Sequence, residues 1–245
     1  MRLRSMTLLV LLGASAAVAL ADDAASGAAA VKRLQTLRPD LVVEKVAPSP
    51  LPNLVALTLS NGDIVYATTD GKYLLAGDLI EMKDSGLVNL ADVERDAKRR
   101  ELLAAVPASE MAVFPAVGER KAFITVFTDV DCPWCRKFHT EAVPELNKKG
   151  VEVRYLAYPR QGLQSEAFTK MVSAWCAADR QDAINKLKRG EAIPAKSCKN
   201  PVAREYQLGQ RIGVTGTPTI VLEDGSLEAG YVPATELAQR LGIGT

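Results

Sequence analysis

The sequence predicts a mixed α+β and α/β protein, in which a helical linker joins a small β-rich N-terminal domain to a larger α/β domain. Two β-rich runs flank Asn61-Gly62, the pattern of a tight hairpin. A highly charged helical stretch follows from Asn89 to Val106. Beyond it, strand and helix patterns alternate, and Cys132-Pro133-Trp134-Cys135 lies at a strand-to-helix junction.

The first 21 residues have the features of a secretory signal peptide. Arg2 and Arg4 give a basic start, residues 6–12 are apolar, and Ala19-Leu20-Ala21 is a small-x-small cleavage site. We expect cleavage after Ala21, export, and no membrane-spanning segment in the rest of the chain, with an uncleaved anchor as the alternative. An oxidising compartment permits stable disulfides among the four cysteines.

Residues 22–88 are predicted to form the small N-terminal domain. An Ala-rich helix from Asp23 to Leu37 comes first, and strands follow within residues 55–60, 63–69 and 72–75. Because so small a unit has few candidate core side chains, we expect it to need a partner to bury enough surface. An exposed edge strand would be a natural seam for dimerisation.

Residues 89–107 are predicted to form the linker helix, which ends near Pro107. Charged side chains lie nearly all round it and apolar positions are sparse. Such a helix commonly bridges two domains, and the alternative is a surface helix lying on one of them.

Residues 108–245 are predicted to form the second domain, with the element order β-α-β-α-β-β-α. The expected strands and helices are Phe123–Thr128, Arg136–Lys148, Val151–Ala157, helices near 166–178, 181–188 and 201–212, a strand pair within 219–231, and a helix over 234–241. A first strand that is followed by Cys-x-x-Cys and then a helix is the thioredoxin-like arrangement. The helices expected between residues 166 and 212 are an insertion in that arrangement.

The motif Cys132-Pro133-Trp134-Cys135 indicates thiol–disulfide exchange. Cys132 lies at a helix N-terminus, where free N–H groups and the helix dipole favour a thiolate, so its pKa should be depressed. Pro133 suits the first helical position, because its missing N–H costs nothing there. Cys135 lies one turn further on and can form a disulfide with Cys132. We therefore predict Cys132 as an ionised and reachable nucleophile and Cys135 as its redox partner.

Zinc binding and a purely structural disulfide are the alternatives for this pair. A zinc site needs two more ligands, and only Cys176, Cys198 and His139 remain, without a second close pair. A structural disulfide explains poorly why Pro133 and Trp134 separate the sulfurs at such a junction. We predict no metal and no organic cofactor, and we expect His139 to be a packed or solvated bystander.

Cys176 and Cys198 lie 22 positions apart. If exchange chemistry requires the first pair to close on itself, these two are left to form a structural disulfide. That bond would contribute about 3 kcal/mol in the chain-entropy description. Two buried free thiols are the alternative.

The charge balance argues against nucleic-acid binding. The chain has 30 basic and 29 acidic residues, and loss of the leader leaves 28 and 29, a net charge of −1. The basic runs Arg99-Arg100, Lys148-Lys149 and Lys186 to Arg189 are interpreted as solvated helix faces. Tyrosines and tryptophans do not interleave with them, as a nucleic-acid groove would require.

Several longer stretches resemble the DsbC/DsbG family of periplasmic disulfide isomerases. The matching stretches are Val126–Asp129, Val153–Leu163, Ala174–Ala177, Gly213–Pro218 and Gly230–Pro233. The resemblance extends over essentially the whole mature chain and includes the order of β domain, linker helix and thioredoxin-like domain.

This resemblance implies a V-shaped homodimer whose cleft holds misfolded, disulfide-containing exported proteins, and whose cysteines are kept reduced by the membrane reductase DsbD. It implies that Pro218 is a cis-proline facing the active-site pair and that Thr217 offers backbone hydrogen bonds to a substrate peptide. It also implies a structural Cys176–Cys198 disulfide. From the residues alone, Gly216 to Thr219 indicates only a turn before a strand.

Two positions depart from the family pattern. Pro133-Trp134 stands where the isomerases usually have Gly-Tyr, and Val126 occupies the position of the buried acid of thioredoxin. The predicted function is isomerisation and reduction of non-native disulfides in the periplasm, with chaperone activity. A reductase of sulfenylated cysteines and a holdase with secondary thiols are the alternatives.

Overall fold

The computed structural model describes residues 27–84 and 86–244. Contacts divide the chain into two compact units, Met1–Gly77 and Asp78–Thr245. The predicted signal peptide, its cleavage site after Ala21 and the first residues of the predicted N-terminal helix lie outside the described residues.

The N-terminal unit contains a helix and a four-stranded antiparallel sheet. Its elements are α1 (Ala28–Leu37), β1 (Val43–Pro48), β2 (Leu54–Leu59), β3 (Ile64–Thr68) and β4 (Leu74–Ala76), with sheet order β1-β2-β3-β4. Alternate side chains of β2 pack on α1 in one small core, as expected for a sheet covered on one face. β1 and β4 are the edges of this sheet.

The predicted hairpin between β2 and β3 is confirmed. Gly62 has φ 87°, a conformation that glycine adopts without steric cost, and its N–H donates to the carbonyl of Leu59. Asn61 Oδ1 accepts from the N–H of Asp63 at 3.0 Å, which fixes the turn. β1 was not predicted, because a bulge between Val43 and Lys45 breaks the alternation of buried and exposed residues on which strand prediction depends.

The second unit opens with a hairpin and a long helix. These are β5 (Ile80–Lys83), β6 (Gly86–Asn89) and α2 (Leu90–Ala104). Asn89 caps α2, since its Oδ1 accepts from the N–H of Ala91. The C-terminal part of α2 packs on the core of the second unit through Leu102 and Leu103, and Arg99 Nε donates to the carbonyl of Ile212 at 3.0 Å. The interpretation of Arg99 as part of a solvated face is therefore wrong.

A five-stranded sheet forms the centre of the second unit. Its strands are β7 (Ala112–Phe114), β8 (Ala122–Thr128), β9 (Val151–Ala157), β10 (Thr219–Val221) and β11 (Leu227–Ala229), in the order β11-β10-β8-β9-β7. Only β8 and β9 are parallel among these pairs. On β8, Val126 belongs to one buried cluster and Phe127 to another, so both faces of the central strand are covered.

Helices surround this sheet near the positions that the sequence predicts. They are α3 (Pro133–Lys137), a π-helical segment (Phe138–Ala142), α4 (Val143–Lys148), α5 (Glu166–Trp175), α6 (Arg180–Lys188), α7 (Val202–Arg211) and α8 (Ala234–Arg240). The helix after the cysteine motif was predicted without its π-helical segment. Pro144 lacks the N–H that would bond the carbonyl of Thr140, so the helix widens there.

Candidate active site

The loop between β8 and α3 places Cys132 at the beginning of a helix. Cys132 is the N-cap residue and Pro133 is the first residue of α3. The N–H of Cys132 donates to the carbonyl of Asp129 at 3.3 Å, and Arg136 Nε donates to the carbonyl of Val130 at 3.0 Å. These bonds hold the loop, and they direct the free N–H groups of the helix start toward the cysteine.

The two active-site cysteines are free thiols whose pKa values shift in opposite directions. The hydrogen bond from the Cys135 thiol is the main reason why the pKa of Cys132 is lowered to about 5. Burial raises the pKa of Cys135 well above its usual value, and the hydrogen bond to Cys132 adds to that shift. At neutral pH the pair therefore consists of a Cys132 thiolate and a Cys135 thiol, which is the division of roles that exchange chemistry needs.

The expectation that Cys132 is directly reachable is wrong for the state described by the structure. Cys132 has 0% of its surface exposed, and its protonated Sγ donates to the carbonyl oxygen of Thr217 at 3.1 Å. By contrast, Trp134 is 58% exposed. A client disulfide can reach Cys132 only after local movement around the sulfur.

Thr217 and Pro218 lie at the active-site pair, as the family resemblance implies. The Thr217–Pro218 peptide bond is cis. The carbonyl of Pro218 accepts from the N–H of Gly230 at 2.8 Å, which ties this loop to the neighbouring strand segment. Thr217 Oγ1 is buried without a hydrogen-bond partner within the described chain, yet its interaction with the Cys132 sulfur contributes to the lowered pKa of that thiol.

An ion pair between a buried carboxylate and a partly exposed arginine supports the loop before Cys132. Asp129 is 1% exposed, and its Oδ2 accepts from Arg160 N at 2.9 Å and from Arg160 Nε at 3.3 Å. Its Oδ1 accepts from the N–H of Asp131 at 2.7 Å. The positive charge of Arg160 also lowers the pKa of Cys132. Sequence reasoning did not assign a role to Asp129 or Arg160, although both lie in stretches that resemble the family.

Lys188 lies beneath the same loop and was misinterpreted from the sequence. It was grouped with a solvated basic run, but its side chain is buried and its Nζ donates to Thr128 Oγ1 at 2.6 Å and to the carbonyl of Asp129 at 3.0 Å. The signal was present in the pattern of α6, where Ile184 and Leu187 are buried and place residue 188 on the inward face.

His139 is packed rather than solvated. Its Nδ1 lies 3.1 Å from the hydroxyl of Tyr155 and its Nε2 lies 2.8 Å from Asn185 Oδ1. Burial is the main reason why the pKa of His139 is lowered to about 4, so the ring is neutral at physiological pH. His139 therefore has a structural role, and neither of these hydrogen bonds involves a cysteine sulfur.

An exposed aromatic rim lies beside the cysteine pair. The ring centroids of Trp134 and Tyr231 are 6.3 Å apart. Lys137 Nζ lies 4.8 Å from the Tyr231 centroid and 5.7 Å from that of Trp134. This rim offers apolar and π surface to a bound peptide.

Cys176 and Cys198 form the expected disulfide, with a Cα–Cα distance of 5.7 Å. Cys176 is the C-cap of α5, and Cys198 lies in the segment between α6 and α7. The bond therefore closes the helical insertion on itself. The sequence predicts two cysteine pairs. In the structure Cys176 and Cys198 are joined by a disulfide, and Cys132 and Cys135 are free thiols.

The described part of the chain contains neither a candidate metal site nor a candidate membrane span. Among residues 27–84 and 86–244, no group of three or more His, Cys, Asp or Glu side chains could hold a metal ion. Within the same residues, no helix is both long enough and apolar enough to cross a bilayer.

Comparison with known families identifies both parts of the chain. A family model described as a thioredoxin-like domain matches residues 108–243, and one described as the disulfide bond isomerase protein N-terminal domain matches residues 17–92. The thiol:disulfide interchange protein DsbC of Dickeya dadantii is 40% identical over 91% of this chain and 88% of its own. The chain belongs to the DsbC family. The DsbC protein of Escherichia coli K12 is 36% identical over 97% of this chain and 95% of its own.

Membership of the DsbC family confirms the predicted fold class and enzyme class. The chain is a thiol:disulfide oxidoreductase with disulfide isomerase function, built from a DsbC-type N-terminal domain and a thioredoxin-like domain. Among solved structures, a disulfide interchange protein from Neisseria gonorrhoeae aligns with a TM-score of 0.49 and 29% identity, over 56% of this chain and 96% of that one.

Proposed function

We propose that this DsbC-family protein rearranges and reduces non-native disulfides of exported proteins, with Cys132 as nucleophile and Cys135 as resolving thiol. The observation that carries this proposal is the pairing of a Cys132 sulfur of lowered pKa with a Cys135 thiol that donates to it. Cys132 thiolate attacks a client disulfide, one client sulfur leaves as a thiolate, and a mixed disulfide forms.

The mixed disulfide then has two outcomes. In isomerisation, another client thiolate attacks the client sulfur and releases Cys132 as a thiolate. In reduction, Cys135 attacks Cys132, the client leaves with both of its thiols, and a Cys132–Cys135 disulfide remains. A further dithiol must reduce that disulfide, and we assign this role to the membrane reductase DsbD.

The segment Thr217–Pro218 is proposed to bind the client backbone. The carbonyl of Thr217 faces the reacting sulfur, so an extended peptide bonded to Thr217 would present its disulfide to Cys132. Pro133 shapes the helix start, and the half-exposed Trp134 together with Tyr231 provides the apolar edge of the path.

The N-terminal domain is proposed to make the protein a homodimer. β4 is an edge strand of its sheet, and Leu74 and Leu75 on it are 50% and 49% exposed. An unpaired, apolar edge is an unusual surface for a monomer and favours pairing with a second copy. We propose the domain bounds 22–88, 89–107 and 108–245, with a cleft between the protomers that holds misfolded clients and gives chaperone activity.

The proposed compartment is the periplasm, reached by cleavage of residues 1–21. The disulfide between Cys176 and Cys198 supports this, because structural disulfides persist in oxidising compartments. The reduced state of Cys132 and Cys135 in such a compartment requires a dedicated electron supply, which is the role assigned to DsbD.

The test is recovery of a scrambled, disulfide-containing client with wild-type protein, Cys132→Ala and Cys135→Ala. We expect Cys132→Ala to lose isomerase activity and Cys135→Ala to accumulate client joined to Cys132. Suppression of aggregation, measured on the same variants with a client that has no cysteines, should be unaffected. Full client recovery by Cys132→Ala would contradict the proposal and favour a holdase.

A further inference from the structure

Lys188 is a cation with almost no exposed surface. It is the last residue of α6, and 2% of its surface is exposed. Its Nζ donates to Thr128 Oγ1 at 2.6 Å and to the carbonyl of Asp129 at 3.0 Å, and among the described residues no carboxylate forms an ion pair with it. The carboxylate of Asp129 favours the charged form of Lys188 from nearby but forms no ion pair with it, and burying an ammonium group without a direct ion-pair partner costs free energy.

The bonds of Lys188 lead directly to the active-site loop. The carbonyl oxygen of Asp129 that accepts from Lys188 Nζ also accepts from the N–H of Cys132 at 3.3 Å. Thr128 is the last residue of β8, and its hydroxyl is the other acceptor. Lys188 therefore holds the last residue of the central strand and the first residue of the loop that leads to Cys132.

The charge of Lys188 acts on the buried cysteine. Burial lowers the pKa of Lys188, and the Cys135 thiolate, once formed, is the neighbour that opposes this shift most. The ammonium in turn lowers the pKa of Cys135 against the effect of burial.

The other titratable groups around Lys188 have their own partners. The carboxylate of Asp129 is bonded by Arg160, and Arg136 donates to the carbonyl of Val130. His139 is neutral and bonded to Asn185. The ring centroid of Tyr155 lies 5.6 Å from Nζ, and burial raises the pKa of its hydroxyl well above the usual value, so it stays neutral. Cys132 also favours the charged form of Lys188, but less than Cys135 does.

We propose that Lys188 is a positioning residue for the resolving step, whose ammonium stabilises the Cys135 thiolate while its hydrogen bonds hold the Cys132 loop. This inference rests on the proposed function. In the step, Cys135 gives up its proton and attacks Cys132 of the mixed disulfide, the Cys132–client bond breaks, and the departing client thiolate takes up one proton. Lys188 touches neither substrate nor the bond that breaks, so it acts through Cys135 and shifts the outcome from isomerisation toward reduction.

The experiment follows both sulfurs in one reaction. Reduced protein is mixed with one equivalent of Ellman's disulfide, and release of the coloured thiolate is recorded in rapid mixing over a range of pH. The first release reports attack by Cys132, and the second reports attack by Cys135. Lys188→Met is compared with the matched control Lys186→Met, on the same helix, where Lys186 pairs with Asp182 at the surface.

We expect Lys188→Met to slow the second release about tenfold at neutral pH, to move its pH midpoint upward, and to leave the first release within about twofold of wild type. Lys186→Met should change neither. An unchanged second release with an unchanged pH profile in Lys188→Met would overturn the inference. Absence of the first release in wild-type protein would instead overturn the proposed function.

A second variant separates the charge of Lys188 from its packing. Lys188→Arg keeps a positive charge at this position and is measured in the same assay. We expect its second release to lie nearer to that of wild type than the second release of Lys188→Met does. Equal second releases in Lys188→Arg and Lys188→Met would contradict a role for the charge.

Discussion

The carbonyl oxygen of Thr217 lies 3.1 Å from Cys132 Sγ and accepts a hydrogen bond only while that sulfur is protonated. Once Cys132 ionises, the donor is lost and the carbonyl dipole faces a negative sulfur. The contact that covers the nucleophile is therefore weakened by the same event that activates it. This relationship explains how a sulfur without exposed surface can serve as the attacking group.

The first prediction concerns the mobility of the loop at Thr217. Ionisation of Cys132 should loosen residues 216–219, so their amide hydrogen exchange in reduced protein should exceed that of Cys132→Ser once the pH rises above about 5. The comparison with Cys132→Ser at each pH removes the intrinsic pH dependence of exchange. Identical exchange in the two proteins across the range would show that the loop does not respond to the thiolate.

The second prediction concerns the pKa of Cys132. The Cys135 thiol is the main group that lowers this pKa to about 5, so Cys135→Ala should raise it, and the thiolate should form only at higher pH. Ultraviolet thiolate absorbance followed through a pH titration measures this without requiring access to the sulfur. A Cys132 midpoint that stays at the same pH in Cys135→Ala would assign the lowered pKa to the remaining groups, which are the helix start, Thr217 and Arg160.

The third prediction concerns the edge of the N-terminal sheet. Leu75→Glu places a charge on the exposed edge strand β4, and we expect a shift from dimer to monomer in analytical ultracentrifugation. Leu37→Glu, at the exposed end of α1, is the matched control and should remain a dimer. A Leu75→Glu protein that stays dimeric at low concentration would place the dimer contact elsewhere.

The fourth prediction concerns stability at acidic pH and uses the single histidine of the chain. The pKa of His139 is lowered to about 4 in the folded protein, below its unfolded value, so the unfolded state binds more protons between these values. The contribution of His139 to the free energy of unfolding should therefore fall by roughly 3 kcal/mol as the pH decreases from about 6.5 to about 4. Buried Glu205, whose pKa is raised to about 8, contributes in the opposite sense over most of this range, so the His139 contribution is read from a comparison with a variant.

Denaturant titrations of the oxidised protein measure this, because Cys132 and Cys135 then do not titrate. His139→Gln, whose side chain can still bond Tyr155 or Asn185, should lose the His139 contribution, so its free energy of unfolding should fall less than that of wild type as the pH decreases. A variant with the same slope as wild type would assign the acid sensitivity to carboxyl groups.

The parts of the fold that follow from local patterns could be predicted from the sequence. β8 and β9 have apolar, β-branched residues that are buried on both faces, and Gly62 in the turn between β2 and β3 has the positive φ that favours glycine. β7 and β10 have only three residues each, too few to show a period, so β7 was missed and β10 was predicted too long. Their existence depends on pairing with β9 and β8.

The active site divides in the same way. Cys132 and Cys135 could be found because the Cys-x-x-Cys spacing, which indicates thiol–disulfide exchange, lies within four consecutive residues. The roles of Lys188 and Arg160 could not. Helical spacing with Ile184 and Leu187 indicates an inward position for residue 188, but only tertiary structure shows that Lys188 and Arg160 both bond Asp129. The covered state of Cys132 was missed for the same reason, since the carbonyl that covers it comes from a loop 85 positions away.

The Cys176–Cys198 bond has a consequence for how this protein acquires its own shape. It joins the last two of the four cysteines, while Cys132 and Cys135 are free thiols. The 21 residues between Cys176 and Cys198 contain no other cysteine, so no competing sulfur follows Cys176 in a growing chain before its mate does. A catalyst that corrects the misconnections of other proteins thus has a structural disulfide that encloses no rival thiol.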